Sequence, residues 1–314
     1  MERNDDVTEV AQTRKPNKAL RIVIVLLTVI ILAGAGVLGA RELSRMNSAR
    51  GSLDLAIEKL SAAEPVVLQV DNAVRSEVAS AVVPAAEDGL IAAEKAIGDL
   101  NEALAQLDVA QSGLSDSDAT LAAAVREAIV ARIAMLTEAK VVLAADSRAG
   151  TVVDPAHQAW ALAGEAATLT VNAAAEYNKH TKAGVEGSTK LSNQATVKLK
   201  LARSLLETVT AGFPEADMAP YVSYIDGRLK LLDSSRKIDS QWLANKIEDA
   251  NKLLDAYNAE EQKVVDQAKA LTSTPAGTIA DAYELLTKDA ITRYFKARDE
   301  ARSADEAVKA AAAS

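Results

Sequence analysis

The longest uninterrupted apolar stretch of the chain is residues 22–40, IVIVLLTVIILAGAGVLGA, which carries no charge. As an α-helix this stretch would extend about 29 Å, because a helix rises ~1.5 Å per residue and a hydrocarbon core is ~30 Å thick. A buried helix of a globular protein is seldom apolar on every side. The pattern therefore predicts a transmembrane helix over residues 22–40, preceded by a tail of residues 1–21.

The charges around this stretch predict how it is oriented in the membrane. More basic residues precede it than closely follow it. Those before it are Arg3, Arg14, Lys15, Lys18 and Arg21, and those after it are Arg41, Arg45 and Arg50. Because basic loops stay on the cytoplasmic side, we expect a cytoplasmic N-terminus and an extracytoplasmic location for residues 41–314.

Two alternatives remain for the processing and pairing of this segment. Cleavage as a signal peptide would use Ala33-Gly34-Ala35, but the long tail and long apolar run favour an uncleaved, single-pass signal anchor. Small residues four apart would let two membrane helices approach closely. The small residues that could form such a contact in a homodimer are Ala35, Gly36, Gly39 and Ala40. Small residues are also common in unpaired membrane helices.

Beyond the membrane segment, apolar residues recur three and four positions apart, which is typical of amphipathic helices. Residues 41–84 contain this spacing with acidic residues inside the apolar stripe, so we predict a juxtamembrane helical stalk. Pro65 is expected to kink or divide the stalk helix, and Pro84 is the next predicted break. The region 85–184 is predicted as a first helical unit.

Two interruptions divide this first unit into predicted helices. The stretch GLSDSD at 113–118 ends one helix, and Asp116 or Asp118 would cap the next. The stretch SRAGTVVDPAH at 147–157 then predicts a second break, with Asp154 as N-cap and Pro155 in the first turn of a third helix.

A second unit over residues 185–271 is predicted as a duplication of the first. Leu100, Ala103 and Leu107 recur as Leu199, Ala202 and Leu206, a shift of 99 residues. Trp160 and Tyr177 are similarly matched by Trp242 and Tyr257, each tyrosine being followed by asparagine. The alternative is that alanine-rich amphipathic helices resemble one another by composition alone.

A last helix is predicted over residues 272–314, with Thr278 and Asp281 in the spacing of a capping box. The predicted fold is therefore all-α. It comprises a single N-terminal transmembrane helix followed by an extracytoplasmic region of long amphipathic helices, which form two related helical-bundle units.

Composition narrows the chemistry available to this fold. The chain has no cysteine, two histidines, ten aromatic residues and a net charge of −9. The absence of thiols excludes disulfides and cysteine-held zinc, and two histidines cannot form a histidine-rich metal site. Binding to nucleic acid is disfavoured, because phosphate neutralisation needs a basic surface. We predict no metal and no cofactor.

Two groups of residues remain as candidate sites. Trp160, Tyr177, Trp242 and Tyr257 could stack a ligand, but large aromatic residues on alanine-rich helices more often fill a bundle core, so we assign them to the core of the repeat. The acids around Asp116 have the outline of a calcium loop, but leucine stands where such a loop needs glycine. No catalytic motif marks an enzyme.

These observations predict a membrane-anchored, non-enzymatic interaction or scaffold protein at a bacterial cell envelope. Its partners would be the lipid bilayer and another envelope protein or a second copy of the chain. The first alternative is a ligand-sensing helical ectodomain that signals through a separate partner, because the short tail cannot fold into an output domain. The second is an envelope enzyme that uses carboxylates in a helical cleft.

Overall fold

The computed structural model describes residues 40–313, and the surroundings of side chains from Met46 onward. Within that range the chain forms seven α-helices and no strand, which confirms the all-α prediction. The helices are α1 (Ala40–Val74), α2 (Val83–Ala110), α3 (Asp116–Tyr177), α4 (Lys182–Gly212), α5 (Ala219–Leu243), α6 (Ile247–Ala270) and α7 (Pro275–Ala312).

The longest element is α3, and it connects the two halves of the molecule. Its 62 residues extend about 93 Å at ~1.5 Å per residue. The first half of α3 contributes to one hydrophobic core and the second half to another. α7 runs antiparallel to α3 and also contacts both cores, since Ile279 packs in the second and Tyr294 in the first.

The first core lies between α1, α2, the first half of α3 and the C-terminal part of α7. Leu53, Leu100 and Leu136 are fully buried in it. A buried charged side chain connects helices of this bundle. The Arg132 guanidinium, 5 % exposed, binds Glu64 of α1 and lies 2.7 Å from Asp305 of α7. A buried guanidinium with two carboxylate partners ties three helices together at one level.

The second core lies between the rest of α3, α4, α5 and the start of α7. Leu199, Leu206, Phe213 and Ile225 are fully buried there. α6 packs along α5 and runs antiparallel to it, but buries only Ala250 and Val264 of its own residues. α6 is therefore a largely exposed helix on one side of the second bundle, and the candidate site lies beside it.

The prediction of a helix break at residues 147–157 is wrong. α3 continues through Asp154 and Pro155, although proline lacks the amide that would bond to the carbonyl four residues earlier. The penalty of ~3 kcal/mol is offset because Val152 and Ala156, on either side, are buried in the second core. Pro65 likewise does not divide α1, whereas Pro84 does lie in the first turn of a new helix.

Helix starts also differ in detail from the predicted caps. Ser115, rather than Asp116 or Asp118, caps α3, and its hydroxyl accepts from the Asp118 amide at 3.2 Å. Thr274, not Thr278, caps α7 by accepting from an amide at 3.1 Å. In both cases a hydroxyl residue that precedes the predicted cap accepts from one of the free amides of the first turn.

The two bundles divide the chain differently from the two predicted units. The cores meet within α3, between Leu143 and Ala149, and not at residue 184. The segment predicted as a stalk, residues 41–84, contains α1, which lies inside the first bundle against α2 and α3. Most of the segment predicted as a stalk is therefore a helix of the first bundle.

The predicted repeat has a mixed outcome. Six of its matched apolar positions are buried, namely Leu100, Ala103, Leu107, Leu199, Ala202 and Leu206. The two tryptophans, however, both belong to the second half of the molecule. Trp160 lies in the second half of α3 and Trp242 at the end of α5, so they do not occupy corresponding places in the two bundles.

The transmembrane prediction falls almost wholly outside the described residues. Ala35, Gly36 and Gly39 lie outside them, and Ala40 is the first residue of α1. Among the helices between residues 40 and 313, none is long and apolar enough to cross a bilayer.

Candidate functional site

A cavity of about 450 Å³ lies at the end of the second bundle, where α3 finishes and α4 begins. Its walls come from four helices: the last turns of α3, the first turns of α4, and facing stretches of α5 and α6. This volume is within the range of ~300–1,000 Å³ that is typical of small-molecule sites. The cavity is thus large enough for an organic molecule.

The cavity exists because α6 follows α5 and does not close against α3. Its walls carry small side chains on α3, such as Ala167 and Ala174, opposite larger ones on α6, such as Leu254 and Tyr257. The chain turns into α6 through Asn245, whose φ of 59° is in the left-handed region that asparagine tolerates better than most residues. Small residues facing a helix that stands apart leave open space between them.

The most buried charged group of the cavity is the carboxylate of Asp239, on α5, which is 1 % exposed. The hydroxyl of Thr189 donates to its Oδ2 at 2.9 Å, and the hydroxyl of Ser188 donates to Oδ1 at 3.4 Å. Among the described residues, no cationic side chain lies within ion-pair distance of Asp239. Burial raises the pKa of Asp239, and the two hydroxyl donors oppose that rise.

Ser192, one turn after Ser188 on α4, contributes a second unusual group. Its hydroxyl is buried and has no hydrogen-bond partner in the part of the chain that the structure describes. A buried hydroxyl without a partner costs ~1–3 kcal/mol, so such groups are rare in native proteins. Ser192 lines the cavity, where a bound molecule would supply the missing partner.

The opposite end of the cavity is formed by Arg228 of α5 with Tyr257 and Glu261 of α6. Burial and the charge of Glu261 raise the pKa of the Tyr257 hydroxyl, while Arg228 lowers it. Both charged groups therefore act on the same hydroxyl. Arg228 forms no ion pair with another residue that the structure describes, so its guanidinium retains free hydrogen-bond donors.

The residues predicted to form the core of the repeat are found in three different surroundings. Trp160 is partly buried against the second core, with its ring centroid 5.7 Å from that of Tyr221. Tyr177 and Tyr257 line the cavity from α3 and α6. Trp242 is partly buried at the end of α5. The ligand-stacking alternative thus retains two of its four residues.

Ser188, Ser192 and Asp239 were not predicted as site residues, although the apolar pattern contains a signal for two of them. Ser188 and Ser192 stand in the stripe of α4 that continues as Ala195 and Leu199, all of them buried. A polar residue at a core position of an amphipathic helix needs a buried partner. Such interruptions of an apolar stripe mark the beginning of α4 as a place where polar groups face the interior.

Comparisons with known proteins identify no relative of this chain. No protein-family model, curated protein or solved structure gives a significant match to it. Within the described range, no group of three histidine, aspartate or glutamate side chains is arranged to hold a metal ion.

Proposed function

We propose that this protein is a membrane-anchored, non-enzymatic binding protein whose helical region lies outside the cytoplasm and takes a small organic molecule into the cavity between α3, α4, α5 and α6. The observation that carries the proposal is a cavity of about 450 Å³ whose lining includes Ser192, a residue with a buried and unpartnered hydroxyl. Buried polar groups converging on a concave, largely apolar space are the usual mark of a ligand site. The apolar segment 22–40 supports the anchor.

Binding is favoured over catalysis by the surroundings of the same hydroxyl. A serine nucleophile needs a base within hydrogen-bond reach, and Ser192 has no hydrogen-bond partner among the described residues. Asp239, the buried carboxyl that lines the same cavity, is engaged by Ser188 and Thr189 instead. The carboxylate-based enzyme therefore ranks below a binding protein.

The cavity can be tested by closing it at its rim. Ala174 is exposed and lines the cavity, whereas its neighbour Ala175 is exposed and does not. A chemically diverse small-molecule library is screened by thermal shift against the full-length chain in detergent micelles and against A174F and A175F. We expect compounds that stabilise the wild type and A175F but not A174F. If no compound distinguishes A174F from A175F, the cavity is not a ligand site.

The scaffold role is the second candidate, and the outer face of α4 favours it. Val197 and Leu201, one turn apart, are 68 % and 48 % exposed. Adjacent exposed apolar side chains are typical of helix faces that pack against a partner. A photo-reactive residue at position 197 in intact cells should give one reproducible cross-linked species, whereas the same residue at Lys252, which is exposed on α6, should not. Equal labelling at both positions would argue against this face.

A further inference from the structure

The charges of the cavity are distributed unequally along its length. Arg228 and Glu261, at one end, are of opposite sign and both act on the Tyr257 hydroxyl. Asp239 lies eleven residues beyond Arg228 on the same helix, about 16 Å further along its axis at ~1.5 Å per residue. Within the described range, Asp239 is therefore a single negative charge at the end of the cavity away from Arg228 and Glu261.

The polar atoms around Asp239 are arranged as acceptors for a donor group. Each carboxylate oxygen receives one hydroxyl, from Ser188 and from Thr189, and retains a free lone pair. The Ser192 hydroxyl, one helical turn from Ser188, adds an oxygen without a partner. A primary ammonium group has three N–H donors, which matches several oxygens around one carboxylate. A ligand carboxylate placed there would instead meet a like charge in a buried site.

The walls between the two ends are suited to an apolar body. Val171 of α3, Ile238 of α5 and Leu254 of α6 line them. Tyr177 lies at the Asp239 end, where burial raises the pKa of its hydroxyl and the charge of Asp239 raises it further. A tyrosine ring beside a carboxylate is a favourable neighbour for an organic cation, because the ring face is electronegative.

From this arrangement we propose that the ligand is an elongated primary amine, whose ammonium group binds Asp239 and the Ser192 hydroxyl and whose apolar body extends towards Tyr257. The inference rests on the proposed function and specifies the substrate class of the same cavity. It requires no bond to form or break, only an ion pair and hydrogen bonds in a desolvated site.

The probe is dansylcadaverine, a primary amine joined by an alkyl chain to a fluorescent aromatic group. Its control is the same molecule with the amine acetylated, which keeps the apolar body and removes the charge. Binding to the full-length chain in detergent micelles is followed by fluorescence titration. We expect the amine to bind at least about tenfold more tightly than the acetylated form, since a charged hydrogen bond contributes ~1.5–3 kcal/mol.

Two variants test the assigned residues. D239N keeps the shape of the side chain and removes its charge, and the affinity for the amine should fall at least about tenfold. D233N makes the same change on the exposed side of α5, where Asp233 pairs with surface lysine and arginine, and should leave the affinity unchanged. S192A removes only the unpartnered hydroxyl, and we expect a loss of a few fold. S192A also provides an independent readout if D239N does not fold.

Three outcomes separate an error in the ligand class from an error in the ligand site. If the amine and its acetylated form bind equally, or if neither D239N nor S192A weakens the amine, the ligand is not an amine held at Asp239. If the dansyl probes do not bind while library compounds still distinguish A174F from A175F, the cavity is a site for another chemical class. If no compound of any class makes that distinction, both proposals are wrong.

Discussion

Asp146 should make the stability of this protein depend on pH in a way that a single substitution removes. It lies on α3 where the two cores meet, and it is 2 % exposed. Neither of its carboxylate oxygens has a hydrogen-bond partner among the described residues. Burial raises the pKa of Asp146 from 3.8 to about 6, and the nearby Tyr283 hydroxyl offsets part of that rise.

The sign and size follow from linkage between protonation and folding. A carboxyl whose pKa is raised in the folded state carries no penalty below its unfolded pKa and a full penalty above its folded pKa. Stability is therefore lost as the pH rises through the window from 3.8 to about 6. The difference between these pKa values corresponds to about 3 kcal/mol, at ~1.4 kcal/mol for each factor of ten.

The assay is urea unfolding of the full-length chain, followed by circular dichroism at several values between about pH 4 and pH 8. D146N removes the charge while nearly preserving the shape of the side chain. We expect D146N to match the wild type within ~1 kcal/mol near pH 4 and to exceed its stability by up to about 3 kcal/mol near pH 8. D154N, the same replacement at an exposed site on the same helix, is the control for effects that do not depend on burial.

The difference between D146N and the wild type is the decisive quantity, because it cancels all other titrating groups. A difference that remains constant from low to high pH would falsify the assignment of a raised pKa to Asp146. If D146N were instead less stable than the wild type, and increasingly so as the pH rises, a neighbour would be stabilising the carboxylate.

Three further predictions concern the long helix α3. G150A should destabilise the fold by ~1–3 kcal/mol, because the added Cβ would lie 2.8 Å from a backbone oxygen. G164A, where a Cβ would meet nothing within 4 Å, should instead stabilise the fold by ~0.5–1 kcal/mol, and thermal unfolding of the two variants tests both expectations. P155A should raise stability by at least ~1 kcal/mol in urea unfolding, because alanine restores a helix amide; a loss would show that packing needs the proline. R132A should cost ~2–3 kcal/mol in the same assay, because it removes a buried side chain that binds two carboxylates on other helices. R126A, which breaks an exposed pair, should cost below ~1 kcal/mol, and equal losses would contradict the bridging role of Arg132.

The positions of most helices could be predicted because their signals are local. Apolar residues three and four apart identify the buried side of α2 and α4, and the structure buries Leu100 and Leu199 accordingly. The break before Pro84 follows from proline chemistry alone. The break expected at Pro155 was wrong because its local signal competed with burial on both sides, and only the neighbouring helices reveal that burial.

The candidate site was less predictable than the helices. Tyr177 and Tyr257 were selected as aromatic residues in matched positions, but the pattern favoured a closed core over a cavity for them. Asp239 and Ser192 lie 47 residues apart on two consecutive helices, and the local pattern of neither helix indicates that both residues line one space. The interruption of an apolar stripe by Ser188 and Ser192 was the one local sign of a polar interior.

By itself, the sequence determined the all-α class, the apolar face of most helices and the exclusion of thiol chemistry, since these depend on residue types and on spacing along one chain segment. The tertiary structure alone decided that α3 runs unbroken through both bundles, that α1 belongs to the first of them and that α6 stands away from α3 to leave a cavity. An amphipathic pattern specifies that a face must be buried but not which partner buries it. That choice depends on the summed packing of helices far apart in the sequence.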